Sequence, residues 1–331
     1  MLINVFREGF RYPAAFAPFA HLIVPGFFID VGHRCNFRCL FCSVPREPRF
    51  FPVEQVLDQV RLAGQHGLGQ GFFTGGEPML HPGLEEIMRC GNRHGVSRFG
   101  VSTNAWGLDD AERVAELARL GMNVWKLSWD DHRPEVLDRL RGYRGVTELM
   151  TQALDSLHRV PGGIVGVYQV LVAQNYEQLP RMVSHLADLR RDYPKITFLV
   201  AALVKPVEDA LRNPEVLFDP GRAVPHIREA MAVAEDRALP LAFNNLPACL
   251  LPDRPGYHGS TWEHLGVYDT DTRQVSPMRF DFAPHVEEAV VDRAHLQAEG
   301  GRSQGKTASA ETGHGHQGHG VLLRRRRRAA R

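Results

Sequence analysis

Short apolar runs alternate along the chain with longer stretches in which apolar positions recur every three or four residues. The short runs are predicted to be strands and comprise Gly26–Val31, Gly71–Thr74, Ser97–Thr103, Asn123–Ser128, Ile164–Val172 and Ile196–Val204. The longer stretches are predicted to be helices and comprise Pro52–His66, His81–His94, Asp109–Leu120, Val146–His158 and Tyr176–Asp192. Strands that alternate with helices of this length indicate parallel βαβ units.

The alternation weakens after the sixth predicted strand. Arg222–Ala238 has one apolar face and is predicted to be a covering helix, and Leu241–Phe243 is a candidate for one further strand. We therefore divide the chain into four parts: an N-terminal extension (1–22), a core (23–245), a small irregular cap (246–299) and a tail (300–331). The tail consists mainly of Gly, Ser, Gln, His and Arg, a composition that predicts disorder.

The composition indicates a globular protein without a membrane-spanning segment. Of 331 residues, 44% are apolar, which is typical of a globular protein with a substantial core. The start of the sequence does not have the pattern of a signal peptide, and no apolar run is long enough to span a bilayer. We expect a cytoplasmic protein without a membrane partner, in a compartment where thiols stay reduced.

The net charge of +1 depends on six arginines among the last eight residues. Without them, 33 basic and 38 acidic residues remain, so the body of the chain is mildly acidic. A body of this charge lacks the basic footprint of a nucleic-acid binder, and we expect no nucleic-acid partner.

Three of the five cysteines, Cys35, Cys39 and Cys42, lie within eight residues directly after the first predicted strand. Clusters that only transfer electrons take four thiolates, so three thiolates would leave one iron of a cubane open. The alternative is a non-catalytic protein that binds zinc in this loop. Structural zinc takes four ligands, usually in two separated pairs, and the nearest additional candidates, His33, Cys90 and Cys249, stand at no familiar zinc spacing.

The spacing C-x3-C-x2-C, with the aromatic Phe41 before the last cysteine, resembles the signature of the radical S-adenosylmethionine (SAM) superfamily. The resemblance implies an open, partial (β/α)6 TIM-like barrel with the site at the carboxyl ends of the strands. It also implies two cofactors: a [4Fe-4S] cluster on Cys35, Cys39 and Cys42, and SAM at the open iron. Phe41 is expected to pack by the adenine of SAM.

Further motifs follow the next strands in the order that this family shows. Thr74-Gly75-Gly76-Glu77-Pro78 resembles the motif that binds the amino group of SAM, since glycines admit a ligand to the backbone and Glu77 can accept from an ammonium. Ser102 and Asn104 are expected at the ribose hydroxyls, although an Asx-type turn would explain either residue equally well. Ser128-Trp129-Asp130 resembles the corresponding Ser-Leu-Asp motif.

Arg141 lies in a segment, Asp138–Gly142, that resembles one in which an arginine reaches the SAM carboxylate; a solvated arginine at a helix end is the alternative. Period-2 alternation places Lys126 on the same strand face as Ser128, directed into the barrel. A buried ammonium requires a partner, for which Asp30 on the first strand is the candidate.

Other residues near the expected barrel mouth are candidates for substrate contacts: Asp130, Asp131, His132, Tyr168 in preference to Gln169, and Lys205. Cys90 is expected to be a buried structural residue. Cys249 is either a hydrogen-atom donor near the mouth or a core residue, and we favour the core. The tail histidines His314, His316 and His319 are treated as dispensable.

The resemblance implies reductive cleavage of SAM to a 5′-deoxyadenosyl radical that abstracts hydrogen from a substrate. The protein would hold SAM, shield the radical and direct it. A peptide is the leading substrate hypothesis and a small natural product is the near alternative. An electron donor such as flavodoxin or ferredoxin is implied.

Overall fold

A computed structural model of the chain describes residues 2–6, 26–254, 257, 265–269 and 274–277. Its framework is a ten-stranded sheet in the order β10-β9-β1-β2-β3-β4-β5-β6-β7-β8. Seven consecutive strands are parallel: β2 (Phe27–Asp30), β3 (Gln70–Thr74), β4 (Arg98–Thr103), β5 (Met122–Ser128), β6 (Ile164–Leu171), β7 (Ile196–Leu203) and β8 (Leu241–Asn244).

Among the described residues, eight helices connect and cover the parallel strands: α1 (Val53–Gln65), α2 (Leu84–Arg93), α3 (Ala111–Arg119), α4 (Pro134–Arg141), α5 (Val146–Arg159), α6 (Leu179–Leu189), α7 (Asp209–Arg212) and α8 (Val224–Asp236). Short 3-10 turns, including Pro78–Leu80 and Tyr176–Gln178, precede some of them. The predicted core strands and helices are thus present within a few residues of their expected bounds, and Leu241–Phe243 is indeed a strand. The pattern did not predict α4.

The two faces of the sheet differ in what covers them. The main apolar core joins every second strand residue, such as Phe73, Val101 and Leu127, to the buried sides of the helices. A second, smaller apolar cluster contains only strand residues: Val124, Ile164, Phe198 and Ala242, with Phe72 and Val200 packed against them. We call the face that carries this second cluster the inner face.

Across the described strands, the parallel part of the sheet begins at β2 and ends at β8, and these two strands do not pair with each other. The outer face is covered by helices, and the inner-face cluster contains no helix residue within the described part of the chain. A parallel sheet of this kind whose edge strands do not pair is a partial TIM-like barrel. This architecture confirms the fold class that the sequence indicated.

Three antiparallel strands extend the sheet beyond β2. The first, β1 (Leu2–Phe6), pairs with β2 through Val5 and Phe27. On its other side β1 pairs with β9 (Leu265–Asp269), which forms a hairpin with β10 (Gln274–Pro277). Periodicity predicted none of these strands. The other positions of the N-terminal extension, residues 255–256, 258–264, 270–273 and 278–299 of the cap, and the whole tail with its histidines lie outside the described residues.

Within the described parts of the chain, no helix combines the length and the apolar character needed to span a membrane.

Candidate active site

The loop that contains Cys35, Cys39 and Cys42 follows β2 at the carboxyl edge of the parallel sheet. It has almost no regular structure of its own, so its backbone groups need partners outside the loop. Three neighbouring segments supply those partners: the Gly-Gly-Glu turn after β3, the end of α4, and α7 with the residue that follows it.

The Gly-Gly-Glu turn packs its backbone directly against the start of the cysteine loop. The amide of Gly76 donates to the carbonyl of Gly32 (2.7 Å), and the amide of Glu77 donates to the carbonyl of Arg34 (2.9 Å). A Cβ on Gly76 would lie 2.2 Å from the Arg34 oxygen, and one on Gly75, where φ is +113°, would lie 2.4 Å from the Gly32 oxygen. The two glycines therefore permit a close backbone approach.

Helix α4 holds the middle of the loop. The amides of Arg38 and Leu40 donate to the carbonyls of Arg141 (3.1 Å) and Leu140 (2.9 Å). These carbonyls belong to the last turn of α4 and have no partner within the helix. Gly142 ends α4 with φ +58°, and a Cβ there would lie 2.5 Å from the Arg38 carbonyl oxygen.

Helix α7, after β7, holds the end of the loop. The amide of Asp209 donates to the carbonyl of Cys42 (3.1 Å), and Nδ2 of Asn213 donates to the carbonyl of Leu40 (3.1 Å). The Asp209 side chain is almost completely buried and accepts from Nε of Arg46 and from Arg212. Sequence reasoning missed Asp209 and Asn213, because they are about 170 residues away from the loop that they contact.

Glu77 is fully enclosed at this edge. Its carboxylate accepts from the amide of Met79 (3.0 Å), the hydroxyl of Thr103 (2.7 Å) and the amide of Asn104 (2.7 Å). Burial raises the pKa of Glu77 to about 7, while these hydrogen bonds and the charge of Arg141 oppose the shift. The carboxylate thus joins the ends of β3 and β4.

Asn104 connects β4 to the cysteine loop. Its Nδ2 donates to Oδ1 of Asn36 (2.9 Å) and lies 3.8 Å from Sγ of Cys35. Its Oδ1 accepts from the amide of Trp106 (3.1 Å), which is an Asx-type turn. The turn that was the alternative explanation of Asn104 is therefore present, and Nδ2 is at the same time directed at the cysteine loop.

Arg141 is buried beside the middle cysteine. Its guanidinium forms an ion pair with Asp130, lies over the ring of Phe41 (5.4 Å from the centroid) and places Nη1 3.6 Å from Sγ of Cys39. The structure does not expose Arg141 at a helix end, which excludes the solvated alternative. Asp130 also accepts from the amide of Val170 (2.7 Å) and is an internal partner of Arg141 in this structure.

Burial raises the pKa of the cysteine thiols, to about 11 for Cys35 and to about 12 for Cys39, with a rise also at Cys42. Within the described residues, no three His, Cys, Asp or Glu side chains are close enough to hold a single metal ion. Three soft sulfur donors, two of them with N–H groups directed at them, suit an iron–sulfur cluster.

The other residues predicted from the sequence lie on strands β4, β5 and β6 or shortly after β5. Ser102 and Ser128 are half-buried on β4 and β5. Tyr168 faces inward, whereas Gln169 is buried on the outer side and donates to the carbonyl of Asp130 (2.9 Å). Asp131 is buried and pairs with Arg133 (2.8 Å). His132 is half-buried beside Asp131.

Three expectations about individual residues have clear outcomes. Cys90 is fully buried in α2, as expected. Cys249 is exposed, so its assignment to the core was wrong. Lys126 does not pair with Asp30: its ammonium lies over the rings of Phe72 and Tyr168, and the Asp30 carboxylate accepts from the amide of Gly32 (2.9 Å). The sequence alone did not indicate these aromatic partners, because they lie on other strands, β3 and β6.

Comparison with known proteins identifies one domain of the chain. Residues 29–186 match the model of the Radical SAM superfamily, and this stretch of the chain is a radical SAM domain. It contains the cysteine loop, the Gly-Gly-Glu turn, Asn104 and Arg141.

The curated relatives are enzymes. The chain is 32% identical over 173 residues to a PqqA peptide cyclase of Streptomyces rochei, covering 50% of this chain and 46% of the relative. It is 31% identical over 115 residues to a GTP 3′,8-cyclase of Limosilactobacillus fermentum, covering 33% and 34%. The match therefore spans less than half the length of these relatives.

Solved structures share the fold. Streptococcus suis SuiB bound to S-adenosylmethionine superposes with a TM-score of 0.55 at 18% identity, over 72% of this chain and 55% of that one. The hydrogenase maturase HydG of Carboxydothermus hydrogenoformans gives 0.53 at 14% identity, over 81% and 66%.

Proposed function

We propose that the chain is a radical SAM enzyme in which Cys35, Cys39 and Cys42 hold a [4Fe-4S] cluster and leave one iron open for SAM. When bound, the two cofactors supply a reductive cleavage of SAM to a 5′-deoxyadenosyl radical, which abstracts hydrogen from the substrate. The protein's contribution is to bind, orient and enclose the reacting groups.

The observation that carries this proposal is the convergence of the three cysteines with Asn104 and Arg141 at one edge of the sheet. N–H groups directed at thiolate sulfurs stabilise a negatively charged cluster. Arg141 keeps a positive charge beside Cys39 because Asp130 holds its guanidinium in place. The three backbone-bonded segments around the loop fix the positions of the sulfur atoms.

Residues around the loop are proposed to bind SAM. Phe41, inside the cysteine loop, is proposed to pack by the adenine, and the Arg141 guanidinium holds its ring from one side. Ser102 and Ser128 retain exposure on the inner face and offer hydroxyls to the ribose. Gly75, Gly76 and Glu77 are proposed to receive the amino group through the carbonyls of the two glycines and the remaining acceptor capacity of the carboxylate.

A peptide is the proposed substrate, and the supporting observation is the similarity to a PqqA peptide cyclase over half of this chain. The similarity to a GTP 3′,8-cyclase over one third of the chain supports a small molecule as the second candidate. Reduction would come from flavodoxin or ferredoxin in the cytoplasm, where such donors and free thiols coexist.

The test is anaerobic reconstitution with iron and sulfide, followed by incubation with SAM and dithionite. We expect a brown protein with about four irons per chain that releases 5′-deoxyadenosine. Cys35→Ser, Cys39→Ser and Cys42→Ser should each lose both properties. Cys249→Ser is the matched control, because Cys249 is exposed outside the loop. A colourless protein that binds zinc, or a cluster-loaded protein that never releases 5′-deoxyadenosine, would refute the proposal.

A further inference from the structure

Lys126 occupies an unusual position on the inner face of the sheet. It lies on β5 between Val124 and Ser128 in the inward-facing series. The two neighbouring residues on the outer side, Trp125 and Leu127, are buried under the helices, whereas Lys126 keeps partial exposure. The side chain is therefore directed into the half-barrel and is partly exposed there.

The surroundings of this ammonium are aromatic. Nζ lies 4.8 Å from the centroid of Phe72 on β3 and 4.6 Å from that of Tyr168 on β6. Within the part of the chain that the structure describes, no carboxylate pairs with Lys126. Cation–π contacts attract a cation without neutralising its charge.

The other titratable groups of the inner face do not supply the missing charge. Asp30 on β2 is engaged by the amide of Gly32. The hydroxyl of Tyr168 is hydrogen-bonded to the Asn244 side chain on β8, and burial raises its pKa to about 12, so the ring stays neutral. Lys205 follows β7 and is itself a basic residue, so it cannot balance the charge of Lys126. Burial without a counter-charge lowers the pKa of Lys126 to about 8.

Apolar side chains surround Lys126 on the inner face: Val124 precedes it on β5, and Gly166 of β6 is in register with it. The Phe72 ring lies against Gly100 and the Phe198 ring against Gly166, where an added Cβ would be 2.4 and 2.1 Å from the respective rings. These glycines let the two rings lie across the inner face beside Val124. Lys126 thus combines apolar neighbours with partial exposure.

The position also relates Lys126 to the cysteine loop. Lys126 is in register with Ser102 on β4. Asn104, which contacts Asn36 and Cys35, is two residues further along, and two residues of a strand span about 7 Å. A molecule whose charged end reached Lys126 would extend towards the loop in which the radical chemistry is proposed.

We infer that Lys126 anchors a single carboxylate of the substrate on the inner face of the sheet. This inference rests on the proposed function and specifies the chemistry of its substrate: one negative charge on a group with apolar neighbours. One lysine balances one carboxylate, and burial of the pair is favourable only when both charges are matched. The rings of Phe72 and Tyr168 beside the ammonium would contact the aliphatic or aromatic part next to that carboxylate.

The chain suits a direct test because it contains only four lysines, Lys126, Lys195, Lys205 and Lys306. The reconstituted protein, with the cluster oxidised, would carry ¹³C,¹⁵N-labelled lysine and be titrated with sodium hexanoate at pH 6.5. Hexanamide, which has the same size without the charge, is the matched probe. We expect hexanoate to shift the Lys126 side-chain signals and to raise the pKa of Lys126, and hexanamide to do neither.

Calorimetric titration of variants gives the affinity. Lys126→Met should weaken hexanoate binding about tenfold or more, as expected for loss of a charged hydrogen bond. Lys126→Arg should retain most of it because the charge is kept. Lys306→Met removes the same net charge elsewhere in the sequence and should bind hexanoate like the unaltered protein.

Three results would overturn the inference. The first is hexanoate affinity that does not change in Lys126→Met. The second is loss of affinity in Lys205→Met alone, which would assign the anchor to the other lysine. The third is displacement of hexanoate by saturating SAM together with a shift of the Lys126 signals, which would assign the ammonium to the carboxylate of SAM. All three measurements use protein that has been shown to contain the cluster and to release 5′-deoxyadenosine. Failure of the lysine anchor is therefore distinguished from failure of the proposed function.

Discussion

Nη1 of Arg141 lies 3.6 Å from Sγ of Cys39, 102 residues away in the sequence. The same guanidinium pairs with the buried Asp130. A charge that is fixed in this way cannot turn towards solvent, so its influence on the sulfur is permanent. Arg141 and Asp130 should behave as one unit when either is changed.

Arg141→Met is expected to lower the free energy of unfolding by about 3–5 kcal/mol, because it leaves the Asp130 carboxylate buried without its partner. Asp130→Asn added to this variant should recover part of the loss, since the neutral amide can still accept from the amide of Val170. Urea denaturation of the unaltered protein, Arg141→Met, Asp130→Asn and the double variant under anaerobic conditions measures the coupling between the two side chains. Strictly additive effects would show that the two side chains do not interact.

Gly76→Ala should be strongly destabilising, by about 3 kcal/mol or more, because its Cβ would meet the Arg34 carbonyl oxygen at 2.2 Å in a backbone contact with no room to adjust. Gly69→Ala is the matched control: its nearest contact would be at an ordinary 3.6 Å. Thermal unfolding of both variants distinguishes the steric requirement from a general effect of alanine. Equal stabilities of the Gly76→Ala and Gly69→Ala variants would contradict the steric requirement at Gly76.

Glu77→Gln should lower the free energy of unfolding by about 1–3 kcal/mol. The glutamine oxygen can still accept from Met79 and Thr103, but its amino group would face the amide of Asn104 and leave that donor unsatisfied. Glu85→Gln, which breaks the partly exposed ion pair with Arg113, should cost under about 1 kcal/mol. The comparison is made by chemical denaturation at pH 8, above the pKa of about 7 to which burial raises Glu77.

Lys126→Met should make the protein more stable at pH 7, by up to about 3 kcal/mol, because an ammonium with a lowered pKa opposes folding. The pKa of Lys126 falls from 10.5 to about 8 on folding, so the unfolded chain binds more protons between those values. The cost is complete below about pH 8 and disappears as the pH approaches 10.5. Denaturation curves at pH 7 and pH 10 should therefore show a gain that shrinks, and a gain independent of pH would contradict the assignment.

Asn213→Ala should speed the loss of iron from the reconstituted protein several-fold, because its side chain links α7 to the carbonyl of Leu40 inside the cysteine loop. Asn92→Ala offers a comparison: that side chain also donates to a backbone carbonyl, that of Leu120, but on the exposed side of α2. The decay of the visible absorption in the presence of a chelator measures the rates. Identical decay in both variants would show that α7 does not hold the loop.

The sequence was sufficient for features that depend on local pattern. Alternating apolar runs predicted the parallel strands, and period-2 alternation directed Lys126 inward. Analogy favoured Tyr168 over Gln169 as the inward residue, and the structure confirms both orientations. Contacts between distant segments were not predictable in this way. Asp209 gives no local signal of its contact with Cys42, and the partners of Lys126 depend on how strands β3 and β6 are placed around β5. The strands β1, β9 and β10 pair only with one another and β2, so no crossover helix marks them in the sequence.

The strand β1 lies between β2 and β9, although β9 begins more than 250 residues later in the sequence. A truncated protein that stopped before residue 265 would leave the outer backbone N–H and C=O groups of β1 without their strand partner. Unpaired strand edges are templates for intermolecular association and aggregation. Shortened versions made for expression should therefore keep the hairpin through Pro277.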